Sequence, residues 1–148
     1  MKKVIVTFSS EETENAGYEL AKTLKCGDFV AMFGDLGVGK TAFTRGVARY
    51  ISPGAKVQSP TYTIVNEYKG SPRLFHFDMY RIDSEETLYA TGFFDYLDEG
   101  VCISEWCENI EEFIPENHIR VTIEKDFLSE NADKRIITIE DNNENTCT

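Results

Sequence analysis

Residues 30–43 read VAMFGDLGVGKTAF: an apolar run, then Gly34, four intervening residues, and Gly39, Lys40 and Thr41 in succession. This is the spacing of the phosphate-binding P-loop. With ordinary residue usage the pattern arises by accident in a chain of 148 residues about half a per cent of the time. Its setting adds to the signal, because a buried strand precedes it and a helix follows. Phosphate oxygens need several donors converging at close range. The backbone N–H groups of Asp35, Leu36, Gly37, Val38, Gly39, Lys40 and Thr41 are therefore expected to curl around a β-phosphate, where a Cβ at the glycines would obstruct the approach. Ala42, in the first helical turn, completes the nucleotide-binding segment. The helix N-terminus adds partial positive charge. Lys40 has the reach to sit between β- and γ-phosphates, and the Thr41 hydroxyl suits one position on Mg²⁺.

The rest of the chain reads as alternating strands and helices. Lys3 to Phe8 is a short strand, and Ser9 with Glu12 has capping-box spacing for a helix that carries Ala16, Leu20, Ala21 and Leu24 on one face and ends at Cys26-Gly27. Phe29 to Phe33 is uninterrupted apolar sequence, as in a strand buried on both faces of a parallel sheet. A helix from Lys40 to Tyr50 turns Phe43, Val47 and Ile51 inward. "YTIVNEY" (62–68) and "RLFHFDMY" (73–80) flank "KGSP" as an antiparallel hairpin. Asp83 and Glu86 suggest a cap for a short helix through Leu88, "GVCISEW" a second buried strand, and "NIEEFIP" a helix stopped by Pro115. "IRVTIE" and "RIITIE" alternate as two late strands. The length and the 41% apolar content fit one domain, over residues 1–140. Residues 141–148, DNNENTCT in sequence, are too polar to pack and are expected to be disordered.

Two carboxylates fall where predicted strands end, Asp78 in "LFHFD" and Glu105 in "VCISE", and the carboxyl ends of strands are where an open α/β sheet gathers ligands. Both are candidates for Mg²⁺ binding or for orienting a nucleophile, with Asp78 in the place of a Walker B aspartate although His76 interrupts its apolar run. "QSPTYTI" puts Thr61 after a stiff Ser-Pro unit, where many nucleoside triphosphatases carry a γ-phosphate-sensing threonine; a loop threonine opening a strand is the alternative. Arg81 is open to two readings, a transition-state cation or a surface ion pair. Trp106 reads as core.

With 26 acidic and 15 basic side chains the net charge is −11, a field that repels nucleic-acid backbones, so no direct nucleic-acid binding is expected. There is no apolar stretch of membrane-spanning length and no signal-peptide core, which predicts a cytoplasmic protein without membrane contact. Four cysteines without a C-x-x-C pair, and two histidines, do not suggest a zinc site; they read as reduced thiols, mostly buried.

"GDLGVGKTAFTRGVAR", "SPTYTIVNEY", "HFDMYRID" and "ISEW", in this order and spacing, resemble the bacterial TsaE family, the ATPase of tRNA threonylcarbamoyladenosine biosynthesis. The resemblance runs from the first helix to about residue 123. It implies a small α/β P-loop NTPase domain, its sheet mainly parallel and flanked by helices with an antiparallel hairpin portion. It also implies ATP and Mg²⁺ as ligands, slow hydrolysis alone, and docking on a metal-dependent threonylcarbamoyl transferase (TsaD) and its inactive paralogue (TsaB). By position, Lys40 and Thr41 match the catalytic lysine and metal-binding hydroxyl, Thr61 the switch-like threonine, Asp78 the Walker B acid and Glu105 the second acid, taken as a Mg²⁺ ligand. Val38 and Ala42 depart mildly from the family's P-loop without removing a needed group. Two other readings of the residues stay open: a nucleotide-gated interaction module with incidental hydrolysis, and a small-molecule kinase. The absence of an N-K-x-D motif argues against a GTPase.

Overall fold

The computed structural model describes residues 2–34, 39–58 and 65–141. Of the expected site residues, Asp35, Leu36, Gly37, Val38 and Thr61 lie outside the described residues, as do 142–148 of the expected tail.

Among the described residues seven strands form one sheet in the order β1-β7-β6-β2-β5-β4-β3. These are β1 (Lys2–Thr7), β2 (Phe29–Phe33), β3 (Val65–Tyr68), β4 (Arg73–Asp78), β5 (Gly100–Glu105), β6 (Ile119–Lys125) and β7 (Arg135–Asp141). The central four, β6-β2-β5-β4, are parallel. β3 joins β4 antiparallel, as the hairpin pattern predicts, and β7 and β1 extend the other side antiparallel. The sheet is thus mixed rather than mainly parallel. The strands joined through helices are parallel; the two hairpins β3/β4 and β6/β7, and β1 returning beside β7, supply the rest. Asp141, assigned to the tail by composition, closes β7 opposite Ile119.

β2 shows how the sequence builds two layers. All five residues are buried, and their alternation divides two cores: Val30 and Met32 pack with Phe43, Val47 and Ala48, while Phe29, Ala31 and Phe33 pack with Phe75, Phe77, Leu88, Phe93 and Ile110. The first core lies under α1 (Ser10–Ala21) and α2 (Lys40–Ile51), the second under α3 (Glu85–Ala90), α4 (Phe93–Tyr96) and a 3-10 helix (Cys107–Phe113). Phe43 is fully buried, so truncation to Ala should cost about 3–5 kcal/mol.

α1 begins as expected: Ser9 Oγ accepts from the Glu12 N–H at 3.1 Å, and Glu12 Oε1 accepts from the Phe8 N–H at 3.0 Å. It stops at Ala21, well before Cys26-Gly27, because the Thr23 N–H and hydroxyl both turn back to the Leu20 carbonyl. α3 is capped by Ser84, whose Oγ accepts from the Thr87 N–H; Asp83 accepts from the Thr87 hydroxyl instead. The segment "NIEEFIP" is a 3-10 helix broken at Ile110, not an α-helix.

α1 and α2 cross at two glycines. A Cβ at Gly46 would lie 1.8 Å from the Glu14 carbonyl oxygen, and one at Gly17 would lie 2.0 Å from the Phe43 carbonyl oxygen. Only glycine admits this approach, and it brings the start of α2 against α1.

Candidate functional site

The carboxyl ends of the parallel strands β2, β4 and β5 share one rim of the sheet. β2 leads through Gly34 (φ +137) toward Gly39, which sits in the left-handed region (φ +112) as the N-cap of α2. Gly39 has no side chain to cap the helix, so the first N–H groups of α2 face the rim with no side-chain acceptor from the cap. Lys40 opens the helix and is only 5% exposed. Its Nζ donates to the Gly34 carbonyl at 2.9 Å and lies 4.5 Å from the centre of the Trp106 ring. Thr41 follows, half-buried.

Across the rim, Asp78 and Glu105 close β4 and β5 and are register partners, which sets the two acids side by side on the α2 face. They are 8% and 6% exposed. Asp78 Oδ1 accepts from the Tyr80 N–H at 2.9 Å. Burial, and then the neighbouring Glu105 charge, holds the Asp78 carboxyl above its ordinary value; the Tyr80 N–H, His76 and Lys40 oppose this without cancelling it. Glu105 Oε2 lies 2.6 Å from His76 Nε2. The strand ends are tied together by the Met79 N–H donating to the Glu105 carbonyl at 3.1 Å, and by Asn109 Nδ2 donating to the carbonyls of Met79 and Tyr80.

Among the described site residues, the structure therefore gathers Lys40, Thr41, Asp78 and Glu105 around one rim. Ala42 is buried on α2 behind them, and Arg81 is exposed on the turn after β4. Three neighbours carry no site role in the sequence reading. His76 and Trp106 flank the acids, and Asn109 locks the turn beyond Asp78. A signal for His76 was present, since the period of two in "HFD" and "SE" puts residues 76, 78, 103 and 105 on one face. Trp106 packs against the edge of the second core, as its core reading expects, and is half-buried beneath the Lys40 ammonium.

Beside Gly39, a cavity of about 190 Å³ is lined by Ser9, Ser10, Thr13, Ala42, Asp133 and Arg135. Thr13 is buried in its wall, sharing a 2.8 Å hydrogen bond with Thr7. Among the described residues no three His, Cys, Asp or Glu side chains form a cage for a metal, and no helix is long and apolar enough to cross a membrane.

Comparisons with known proteins bear on the family and the fold. The family model of the threonylcarbamoyl adenosine biosynthesis protein TsaE matches residues 7–136. The chain belongs to the TsaE family. Its match to that family reaches into β7, beyond the residue-123 limit of the motif resemblance. The Bacillus subtilis tRNA threonylcarbamoyladenosine biosynthesis protein TsaE is 39% identical over 80% of this chain and 75% of its own length. The Rickettsia felis TsaE is 34% identical over 92% of this chain and 78% of its own. The crystal structure of Bacillus subtilis YdiB superposes with a TM-score of 0.74 at 32% identity, covering 94% of this chain and 84% of that one. In this TsaE family member Lys40 lies at the start of α2 and the two buried acids at the ends of β4 and β5, on the α2 face of the sheet.

Proposed function

We propose that the chain is a P-loop, Mg²⁺-dependent ATPase, slow alone and activated by partners, that serves tRNA threonylcarbamoyladenosine biosynthesis by docking on TsaD and TsaB. The observation that carries this reading is the convergence of Lys40, Asp78 and Glu105 at the carboxyl ends of β2, β4 and β5, beside a helix whose N-cap is a left-handed glycine. An ammonium and two acids that burial has partly stripped of water face one another there, and a triphosphate with its metal supplies the charges that such a site lacks. The Asp78 carboxyl, raised first by burial and then by the Glu105 charge beside it, fits a place for a cation, which would offset both. Mg²⁺, when held by Thr41 and one of the two acids, neutralises charge on the β- and γ-phosphates.

The chain's own groups do the remaining work. The α2 N-terminus and the 35–41 backbone bind the β-phosphate, and Lys40 leaves the Gly34 carbonyl to stabilise charge developing on the γ-phosphate. The acid not committed to the metal orients a water in line with the γ-phosphorus, and Thr61 senses that phosphate. The bond from the γ-phosphorus to the β–γ bridging oxygen breaks as the water oxygen adds and gives up a proton to the acid that orients it, from which the proton passes to solvent, leaving ADP and inorganic phosphate. The cavity beside Gly39 is the place for the base, next to where the phosphates would enter α2.

A net charge of −11 suits a protein that reaches tRNA only through partners that hold it. The test is ATP hydrolysis by the chain alone and then with TsaD and TsaB. Turnover that rises in the complex, is lost with nucleotide binding in Lys40→Ala, and is lost without loss of binding in Asp78→Ala supports the reading. A Lys40→Ala protein that binds ATP as tightly as wild type overturns the site. Indifference to the partners overturns the docking role.

A further inference from the structure

His76 stands in the best-buried stretch of β4, between Phe75 and Phe77, and is itself 0% exposed. A buried imidazole costs stability unless it is hydrogen-bonded, and an aliphatic side chain would continue the apolar run without that cost. Its polar contact is with the site. His76 pairs in register with Ile103, so Glu105, two residues on, is its diagonal neighbour on the same face. The result is the 2.6 Å approach of His76 Nε2 to Glu105 Oε2. Because a carboxylate only accepts, Nε2 is the donor, while Nδ1 has no hydrogen-bond partner among the described residues. A histidine kept for the fold alone would be expected to satisfy both nitrogens.

We propose that His76 is a positioning residue for Glu105: its Nε2–H holds Oε2, fixes the carboxylate in one rotamer and leaves Oε1 for the chemistry of the rim. A glutamate has rotamer freedom that must be lost before it can hold a metal or aim a water, and one short bond from a side chain packed inside the sheet removes that freedom in advance. This rests on the ATPase reading of Glu105.

Three variants test it. His76→Phe fills the site and removes the donor, His76→Gln presents an amide N–H near the Nε2 position, and His76→Asn presents one nearer Nδ1. The expected outcome is a kcat lowered about 10–100-fold in H76F and H76N, with metal-free ADP affinity and thermal midpoint kept, and most of the kcat recovered in H76Q. In the nucleotide-free wild type, a hydrogen-bonded Nε2–H proton should appear downfield by NMR and vanish in Glu105→Ala. An H76F enzyme as fast as wild type, an H76Q enzyme as slow as H76F, or the absence of that resonance overturns the proposal. A wild-type chain that neither binds nor hydrolyses ATP instead sinks the ATPase reading, and this proposal with it.

Discussion

The Lys40 ammonium lies 4.5 Å above the Trp106 ring while donating to the Gly34 carbonyl. Trp106 holds this place with φ at +58°, a left-handed conformation that costs a residue with a Cβ about 1–3 kcal/mol. Its ring also meets Tyr80 at 4.9 Å. Drawing Lys40 onto a phosphate must strip a cation from the ring. Because Trp106 is the chain's single tryptophan, its emission should shift when ATP or ADP is added, and Lys40→Ala should abolish that response. Emission that does not change at saturating nucleotide would mean the ammonium stays where it is.

Gly46→Ala should be among the more damaging small changes in the molecule. The new Cβ would meet the Glu14 backbone at 1.8 Å, so α1 and α2 must part. Overpacking of this kind costs at least about 1–3 kcal/mol, and each kcal/mol lowers the midpoint of a chain this size by about 2–4 °C. Since α2 starts at Lys40, ATP affinity should fall as well. Arg45→Ala, at an exposed neighbour, serves as the control in thermal unfolding; equal midpoints for the two variants would refute the close crossing.

Much of this was legible in the residues, and what was not has physical causes. Phe29 to Phe33 and "VCISE" declared buried strands because a strand covered on both faces needs no polar side, and Asp78 and Glu105 followed as strand ends. The direction of β7 was not legible: its alternation fits either pairing sense, so nothing in the residues corrected the mainly parallel sheet that the family resemblance implied. The helix-crossing glycines looked like ordinary helix residues, since a close approach is a property of two segments at once. The contact of Trp106 with Lys40 was not legible for the same reason, because the two are distant in sequence.

Asp78→Asn should stabilise the nucleotide-free protein at neutral pH. Burial and Glu105 raise the folded-state carboxyl above its unfolded value, so the folded state binds that proton more tightly. The stability this contributes is present below the ordinary value of 3.8 and is lost as pH rises through the folded value, which leaves the ionised Asp78 a burden at pH 7. Thermal midpoints in chelator should therefore favour D78N at pH 7, with a margin that shrinks as pH falls toward 4. A D78N protein less stable than wild type at pH 7 would mean that the Tyr80 N–H, His76 and Lys40 outweigh burial and the Glu105 charge together.

The described cysteines should separate cleanly under alkylation. Cys26 is exposed, whereas burial pushes the thiols of Cys102 and Cys107 up to about 12. Only the thiolate attacks, so at pH 8 iodoacetamide should modify Cys26 in the native protein and reach Cys102 and Cys107 only after unfolding in guanidinium, read by peptide mass spectrometry. Cys102 has a second use. It lies on β5, three residues before Glu105, so its labelling rate reports how often the strand that carries this acid opens. If nucleotide binds at the rim, saturating ATP should slow that rate further while leaving Cys26 unchanged, and equal protection of both thiols would point to a general stabilisation instead.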